Sequence, residues 1–361
     1  MKDTKICIFT GARPNFIKVA PLMRAIQNAP HCEYQLVYAG VADDPTLEPS
    51  LFSDLQIPAP DVFLGVSCEN LNELTAKVME SFERYLSERD IDTVIVVDDL
   101  ASTMAAAIVA KKRGLRLAHL VAGTRSFDIK MPKEINRLVI DGLSDLLFTA
   151  GVDSSTIATR EGAEHHKIYM VGNILMDTLR FNCYRWTRPA CLNSISDGRY
   201  IVLTLNRKAL LSDENHLKRL LEAMVEAAAD IPIIAPLRND AFKVVSKLVK
   251  HGIQFVEPMS YLEFGFLTSH ALGVITDSGN VAEEATFNRL PCITLNSYTE
   301  HIETVRQGSN VLVGEDASKL RSALTDMVEG RWKPCSLPDR WDGRTAERIV
   351  RILTGDVSYH V

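Results

Sequence analysis

The sequence predicts an α/β protein of two Rossmann-like, doubly wound domains, and three observations carry that expectation. Short β-branched runs alternate with helix-forming segments from end to end, the pattern of parallel sheets with crossover helices. The alternation breaks once, between Arg180 and Gly198, where Asn-Cys-Tyr-Arg-Trp-Thr-Arg-Pro and Asn-Ser-Ile-Ser-Asp-Gly read as a hinge. A chain of 361 residues is long enough for two buried cores. The expected division is an N-terminal domain over 1–178, a hinge over 179–198, a C-terminal domain over 199–341 and a closing helical segment over 342–361. Two such halves leave a ligand cleft between them.

In order, Ile6–Phe9 is a short apolar strand followed by an amphipathic helix from about Asn15 to Asn28. Tyr34–Ala39 reads as a second strand, and Thr93–Val97 is a fully apolar strand feeding the small-residue helix Ser102–Lys111. Leu117–Ala122, Leu146–Thr149 and Ile168–Val171 add strands. After the hinge come strand Tyr200–Thr204, helix Glu214–Ala229, strands Ile231–Ala235 and Gln254–Val256, and helix Tyr261–Ser269. Strand Gly273–Thr276, helix Asn280–Asn288, strand Cys292–Leu295 and a last amphipathic helix around Arg344–Leu353 complete the set.

Composition narrows the function classes. Hydrophobic residues at 46% and charged residues at 24% fit a globular protein. A formal net charge of -6 argues against nonspecific binding to nucleic acid or to an anionic membrane surface. No stretch reaches the length of a membrane span, and no charged-then-apolar leader precedes the first strand. The 7 cysteines form no Cys-x-x-Cys pair and read as reduced thiols of a cytoplasmic protein. No group of residues has metal-ligand spacing, and no cofactor is implied.

The sharpest chemical signal is Asp277-Ser278-Gly279-Asn280-Val281-Ala282-Glu283-Glu284. An apolar strand ends in small residues and a helix begins, so backbone N–H groups at a positive helix terminus offer an anion seat. The carboxylates of Glu283 and Glu284, one to two turns on, suit sugar hydroxyls rather than phosphate. Phosphate in front and hydroxyls behind describe a nucleotide sugar. The competing interpretation is a helix capped by Asp277 or Ser278 with a solvated glutamate pair.

Other strand ends carry further candidates. Gly-x-Gly-x-x-Gly is absent after the first strand, which disfavours NAD or FAD; Arg13 there offers a planar fork suited to a diphosphate. Asp98-Asp99 ends Thr93–Val97, either facing a ligand or capping the next helix. His119 reads as a hydrogen-bonded core or cleft-floor residue. Surface ion pairs account for most of the charges in Gly123-Thr124-Arg125-Ser126 and Pro132-Lys133-Glu134-Ile135-Asn136-Arg137.

Together these residues resemble the non-hydrolysing UDP-N-acetylglucosamine 2-epimerase family. The similarity runs through GARPNFIKVAPL, the Asp-x-x-Ser-Thr run ending at Thr103, HLVAGTRS, PKEINR, VGN, TDSGNVAEEA and WDGRTAERIV, covering nearly the whole chain. The resemblance implies a GT-B arrangement with UDP in the interdomain cleft, a last helix that packs back on the first domain, and a cytoplasmic homodimer serving surface-polysaccharide synthesis. It also implies inversion at carbon 2 by elimination of UDP and re-addition, with acid/base residues handling the proton.

That machinery is matched only in part. The family aspartate before Ser-Thr matches Asp99. The family's other acid/base positions fall on Val121, Lys133 and Asn206, where glutamate, glutamate and histidine are expected. A phosphate-facing arginine falls on His301, a histidine on Arg238, and the polar Gly-Gln-His stretch on Gly40-Val41-Ala42. The binding positions are kept: Arg13, Ser278, Gly279 and Glu284 match contacts to the diphosphate and ribose, and Arg125, Asn136, Arg137 and Glu283 match the surrounding motifs. The resemblance therefore implies a UDP-sugar binder with weak or absent epimerisation, acting as a regulator or partner of an active paralogue. An active C2 epimerase with a rebuilt acid/base set and a GT-B glycosyltransferase are the alternatives.

Overall fold

The computed structural model describes residues 4–48 and 50–355. They fall into two compact units, one within Met1–Phe181 and Asp339–Val361, the other Asn182–Pro338.

The first unit is built on a seven-stranded sheet. Its strands are β1 (Thr4–Thr10), β2 (Cys32–Tyr38), β3 (Val62–Phe63), β4 (Thr93–Val97), β5 (Arg116–Ala122), β6 (Leu146–Thr149) and β7 (Ile168–Met170), in the order β3-β2-β1-β4-β5-β6-β7. All pairings are parallel. Strands buried on both faces must be apolar throughout, and β4, Thr-Val-Ile-Val-Val, is buried at every position. The order reverses between β1 and β4, so their C-terminal ends form the switch point at which doubly wound sheets take ligands.

The closing segment belongs to this unit. Trp341 is fully buried and its indole N–H donates to the Ala150 carbonyl at 3.2 Å. Helix Thr345–Thr354 begins with the N–H groups of Thr345 and Ala346 donating to the Asp177 carboxylate at 3.0 and 2.8 Å. Burial pushes the Asp177 carboxyl up to about 6 against those two bonds.

The second unit has a six-stranded parallel sheet of β8 (Ile201–Thr204), β9 (Ile233–Ala235), β10 (Ile253–Phe255), β11 (Gly273–Thr276), β12 (Cys292–Thr294) and β13 (Asn310–Leu312), ordered β10-β9-β8-β11-β12-β13. Its switch point lies between β8 and β11. The stretch expected as a hinge contributes Leu192, fully buried against Tyr200 and Val202.

The edge strands β3 and β13, two and three residues long, lie outside the sequence expectation because so short a run carries no readable alternation. The 17-residue helix Leu71–Ser87 is likewise additional. Every cysteine is a free thiol. Among the described residues no helix is long and apolar enough to cross a membrane.

Candidate functional site

In the first unit the C-terminal ends of β1, β4 and β5 gather most of the sequence candidates. The turn after β1 is tight: a Cβ on Gly11 would lie 2.1 Å from the Ser102 hydroxyl, so only glycine lets the helix Ala101–Lys112 start this close. Asn15 holds that turn, its side-chain oxygen accepting from the N–H groups of Gly11 and Ala12 at 2.8 and 3.1 Å. Its amide donates to Asp98 at 2.8 Å, and Lys18, also buried, reaches the other Asp98 oxygen at 2.6 Å. Arg13, at the start of helix Arg13–Gln27, spends its Nε on Glu48 at 2.6 Å. A diphosphate would have to compete with that carboxylate.

Asp98 and Asp99 do not cap the following helix; its N-cap is Leu100, without a side-chain bond. The backbone at Asp98 is left-handed (φ 59°), and its carbonyl accepts from His119 Nε2 at 3.0 Å. Nδ1 of His119 meets Asp141 at 2.6 Å, so both ring nitrogens are engaged and the residue is a buried structural element. Asp99 is clasped by Arg137 through Nε and Nη2 at 2.8 and 2.5 Å, with Lys133 Nζ at 3.3 Å. Burial pushes the Asp99 carboxyl up, but the charges of Lys133 and Arg137 outweigh it and hold the group below the ordinary carboxylate range.

The expectation of surface ion pairs in the next two motifs is overturned. Arg125, Glu134, Asn136 and Arg137 are all buried. Arg125 pairs with Glu161 at 2.5 Å and Asp141 at 2.7 Å; Glu134 accepts from Ser126 and Phe127 N–H groups at 2.9 Å each and from Arg137 at 3.0 Å. Asn136 donates to the Asp99 carbonyl at 2.8 Å. Of the charged residues in these two motifs only Lys133 is exposed, with 55% of its side chain accessible. The reason is the helix Pro132–Leu143: Glu134, Arg137 and Asp141 recur at i, i+3 and i+7 and share one inward face.

Val121 sits in a β-bulge, where the pairing of β5 with β6 slips between Leu120 and Ala122. Its φ is 74°, a region that β-branched residues almost never occupy. The neighbouring Gly123 (φ 73°) is required there, since a Cβ would meet the Ser154 carbonyl oxygen at 2.2 Å. Strained backbone is thus kept at a position whose side chain cannot move a proton.

In the second unit the seat forms where β11 ends. Ser278 is the N-cap of helix Gly279–Phe287 but makes no side-chain cap bond, and its N–H donates to the Thr276 hydroxyl at 3.0 Å. Asp277 does not cap either: one of its oxygens accepts from the N–H groups of Asn206 and Arg207, both at 2.7 Å, tying the end of β8 to the end of β11. Gly279, Asn280 and Val281 are the first three helical residues, so their N–H groups lack intrahelical acceptors. Asn206 itself is exposed.

The glutamate pair is not solvated. Glu283 and Glu284 are 2% and 8% exposed, and the carboxyl of Glu284 is pushed up to about 8 by burial and by its neighbour's charge. His301 Nδ1 lies 3.0 Å from Glu283 Oε1. Arg207, beside Asn206, is paired with Glu315. Among the described residues no group of three or more His, Cys, Asp or Glu side chains is arranged to hold a metal ion.

Sequence reasoning missed Lys18, Glu48, Asp141 and Glu161 as partners. Asp141 had a signal, its helical spacing from Arg137; Glu48 and Glu161 are distant in sequence and had none.

A family model described as UDP-N-acetylglucosamine 2-epimerase matches residues 24–354. The chain belongs to that family. A UDP-N-acetylglucosamine 2-epimerase of Methanocaldococcus jannaschii is 34% identical, over 97% of this chain and 99% of the relative. A UDP-2,3-diacetamido-2,3-dideoxy-D-glucuronate 2-epimerase of Pseudomonas aeruginosa is 35% identical, over 86% and 88%. The M. jannaschii UDP-GlcNAc 2-epimerase crystallised with UDP-GlcNAc and UDP superposes with a TM-score of 0.85 at 33% identity, covering 98% of this chain and 100% of that one. The Neisseria meningitidis enzyme, at 23% identity and a TM-score of 0.88, shares the fold. The two-unit, all-parallel α/β architecture is therefore that of the 2-epimerases.

Proposed function

We propose that this member of the 2-epimerase family binds a UDP-sugar and retains little of the family's C2 epimerisation. The observation that carries the binding half is the helix at Gly279, with open N–H donors in front and the buried Glu283–Glu284 pair behind. Ser278 and Gly279 are assigned to the diphosphate and Glu284 to the ribose hydroxyls; Arg13, at the first unit's own switch point, is proposed as a phosphate ligand once it leaves Glu48. A relative at 33% identity crystallised with UDP-GlcNAc and UDP supports the ligand class.

The loss of turnover rests on three positions. Val121 has no proton to exchange, the Asn206 amide has no useful acidity, and Lys133 reverses a charge. Asp99 is left, held ionised between Arg137 and Lys133. Loss of one general acid or base costs about 10²–10⁴-fold, and members of one unit do not add. The protein then serves surface-polysaccharide metabolism in the cytoplasm as a homodimer, regulating or accompanying an active paralogue.

Incubation with UDP-N-acetylglucosamine in heavy water tests both halves. Calorimetric binding without deuterium at carbon 2 is the expected result; deuterium entering at ordinary turnover rates, about 1–10³ per second, sinks the second half. The 3.3 Å approach of Lys133 to Asp99 favours one rival, a rebuilt acid/base pair. In that case Asp99→Asn abolishes product formation, whereas the degraded reading expects no product to lose.

A further inference from the structure

Arg13 opens the helix Arg13–Gln27 with a carboxylate already on it. Its Nε donates to Glu48 Oε2 at 2.6 Å, with 22% and 26% of the two side chains exposed. Glu48 arrives on a segment that leaves the end of β2 and returns to the same helix. A Cβ on Gly40 would lie 2.5 Å from the Tyr38 ring, so the chain can turn across that ring only with glycine at this position. The Tyr38 hydroxyl donates to Asp44, whose other oxygen accepts from the Thr46 N–H and hydroxyl at 2.8 and 2.7 Å. On the far side of Glu48, the short helix Leu51–Leu55 starts with the Leu51 N–H donating to the Glu48 carbonyl at 2.9 Å. That helix is moored to Arg13–Gln27: the Phe16 and Phe52 rings meet edge to face at 5.2 Å, and Arg24 donates to the Leu55 carbonyl at 2.6 Å. The chain is thus tied down on both sides of Glu48, and Glu48 is the group it delivers to Arg13.

A guanidinium at a strand end suits phosphate oxygens, and a carboxylate offers it acceptors of the same kind. Phosphate and Glu48 carry like charge, so both cannot sit on Arg13 at hydrogen-bond distance without repulsion. Resting on the reading of Arg13 as a phosphate ligand, we propose that segment 40–48 is an autoinhibitory strap. Glu48 stands in for phosphate on Arg13 in the unliganded protein, and a nucleotide sugar binds by displacing it. The strap lowers affinity by the free energy of one partly exposed, charge-assisted contact, about three- to tenfold in Kd. Its tie at Tyr38 and Asp44 does not involve Arg13. The strap can therefore be loosened without altering the group that binds the ligand.

Calorimetric titration with UDP-N-acetylglucosamine tests the strap on the parent, Glu48→Gln, Arg13→Gln, their double variant and Tyr38→Phe. The expected result is that Glu48→Gln tightens binding about three- to tenfold in the parent and changes nothing in the Arg13→Gln background. Tyr38→Phe, which releases Asp44 and leaves Arg13 and Glu48 in place, tightens binding by about twofold. A Glu48→Gln gain that persists in the Arg13→Gln background is the removal of a distant negative charge and overturns the strap. A Glu48→Gln gain with none from Tyr38→Phe reduces the strap to a lone ion pair and overturns it too. Unchanged affinity of Glu48→Gln does the same, and weaker binding means that Glu48 holds Arg13 in place for the ligand. In all these cases the nucleotide-sugar reading stands. Equal affinity of the parent and Arg13→Gln removes Arg13 from the ligand, and the strap with it, while the helix start at Gly279 keeps its assignment. No binding by the parent or any variant overturns the nucleotide-sugar reading itself, and this inference with it.

Discussion

The two switch points of this protein, one at the end of β1 and β4 and the other at the end of β8 and β11, differ in how their charges are compensated. In the first unit each of the charged groups at the sheet edge has an opposite partner: Arg13 with Glu48, Lys18 with Asp98, Arg137 with Asp99 and Glu134, Arg125 with Asp141 and Glu161. In the second unit the helix start leaves N–H donors open and buries Glu284 without a cation among the described residues. A closed ion-pair network stabilises a shape; open N–H donors are left for water or a ligand, and the buried Glu284 carboxyl, with no cation beside it, is held in its protonated form. On the proposed function, the first edge is a closed ion-pair network and the second is the one left open to a nucleotide.

The contrast breaks most readily at Arg137. Arg137→Ala leaves Asp99 and Glu134 without their shared cation, and a broken buried pair costs about 3–5 kcal/mol. Urea unfolding followed by Trp fluorescence checks this, and a loss below about 1 kcal/mol shows the network to be ornamental.

At the other edge Gly279→Asp has the opposite profile. A carboxylate facing the diphosphate costs several kcal/mol of affinity, more than about a hundredfold in Kd. Folding stability stays within about 0.5 kcal/mol, because an acidic side chain suits a helix start. Calorimetry and unfolding on the same preparation separate the two effects, and unchanged affinity places the anion elsewhere.

A smaller effect follows from Glu284. Its carboxyl in the folded protein, at about 8, lies above the ordinary value, so the unliganded fold holds a proton that the unfolded chain has released. Stability from this group is therefore full below the ordinary glutamate range and declines as pH rises toward 8. Glu284→Gln removes the slope and is the more stable form at pH 8, by at least about 1.4 kcal/mol, the linkage of one pH unit. Parallel slopes for parent and variant contradict the assignment. Ribose hydroxyls donating to the ionised form release that proton, so this contribution to affinity strengthens with pH up to about 8.

The smallest effect is expected at Val121. Val121→Gly relieves a left-handed β-branched residue, worth about 1–2 kcal/mol, less the greater freedom of glycine in the unfolded chain, about 0.5–1 kcal/mol. A net gain of up to about 1 kcal/mol is expected in thermal unfolding; destabilisation means that the bulge relies on the valine side chain.

Much of this molecule was legible before its coordinates. Thr93–Val97, Leu146–Thr149, Gly273–Thr276 and Tyr261–Ser269 are found at the expected residues, and most other elements agree within about two. Apolar periodicity and turn residues act over a few positions, so they survive without tertiary context. The placement of Arg13, Asp99 and Ser278 at strand ends followed from the same local signals. Burial of Arg125, Arg137 and the glutamate pair did not follow, because charged residues at a helix start are usually solvated.

By itself the sequence determined the strands and helices and the chemistry available at each strand end, including the valine, lysine and asparagine at positions 121, 133 and 206. Only the tertiary structure decided which charge answers which. Strand order brings Glu48 to Arg13, Asp141 to His119 and Glu161 to Arg125 across distant stretches of chain. Protonation and burial depend on such neighbours, and a neighbour supplied by the fold leaves no periodic trace in the sequence.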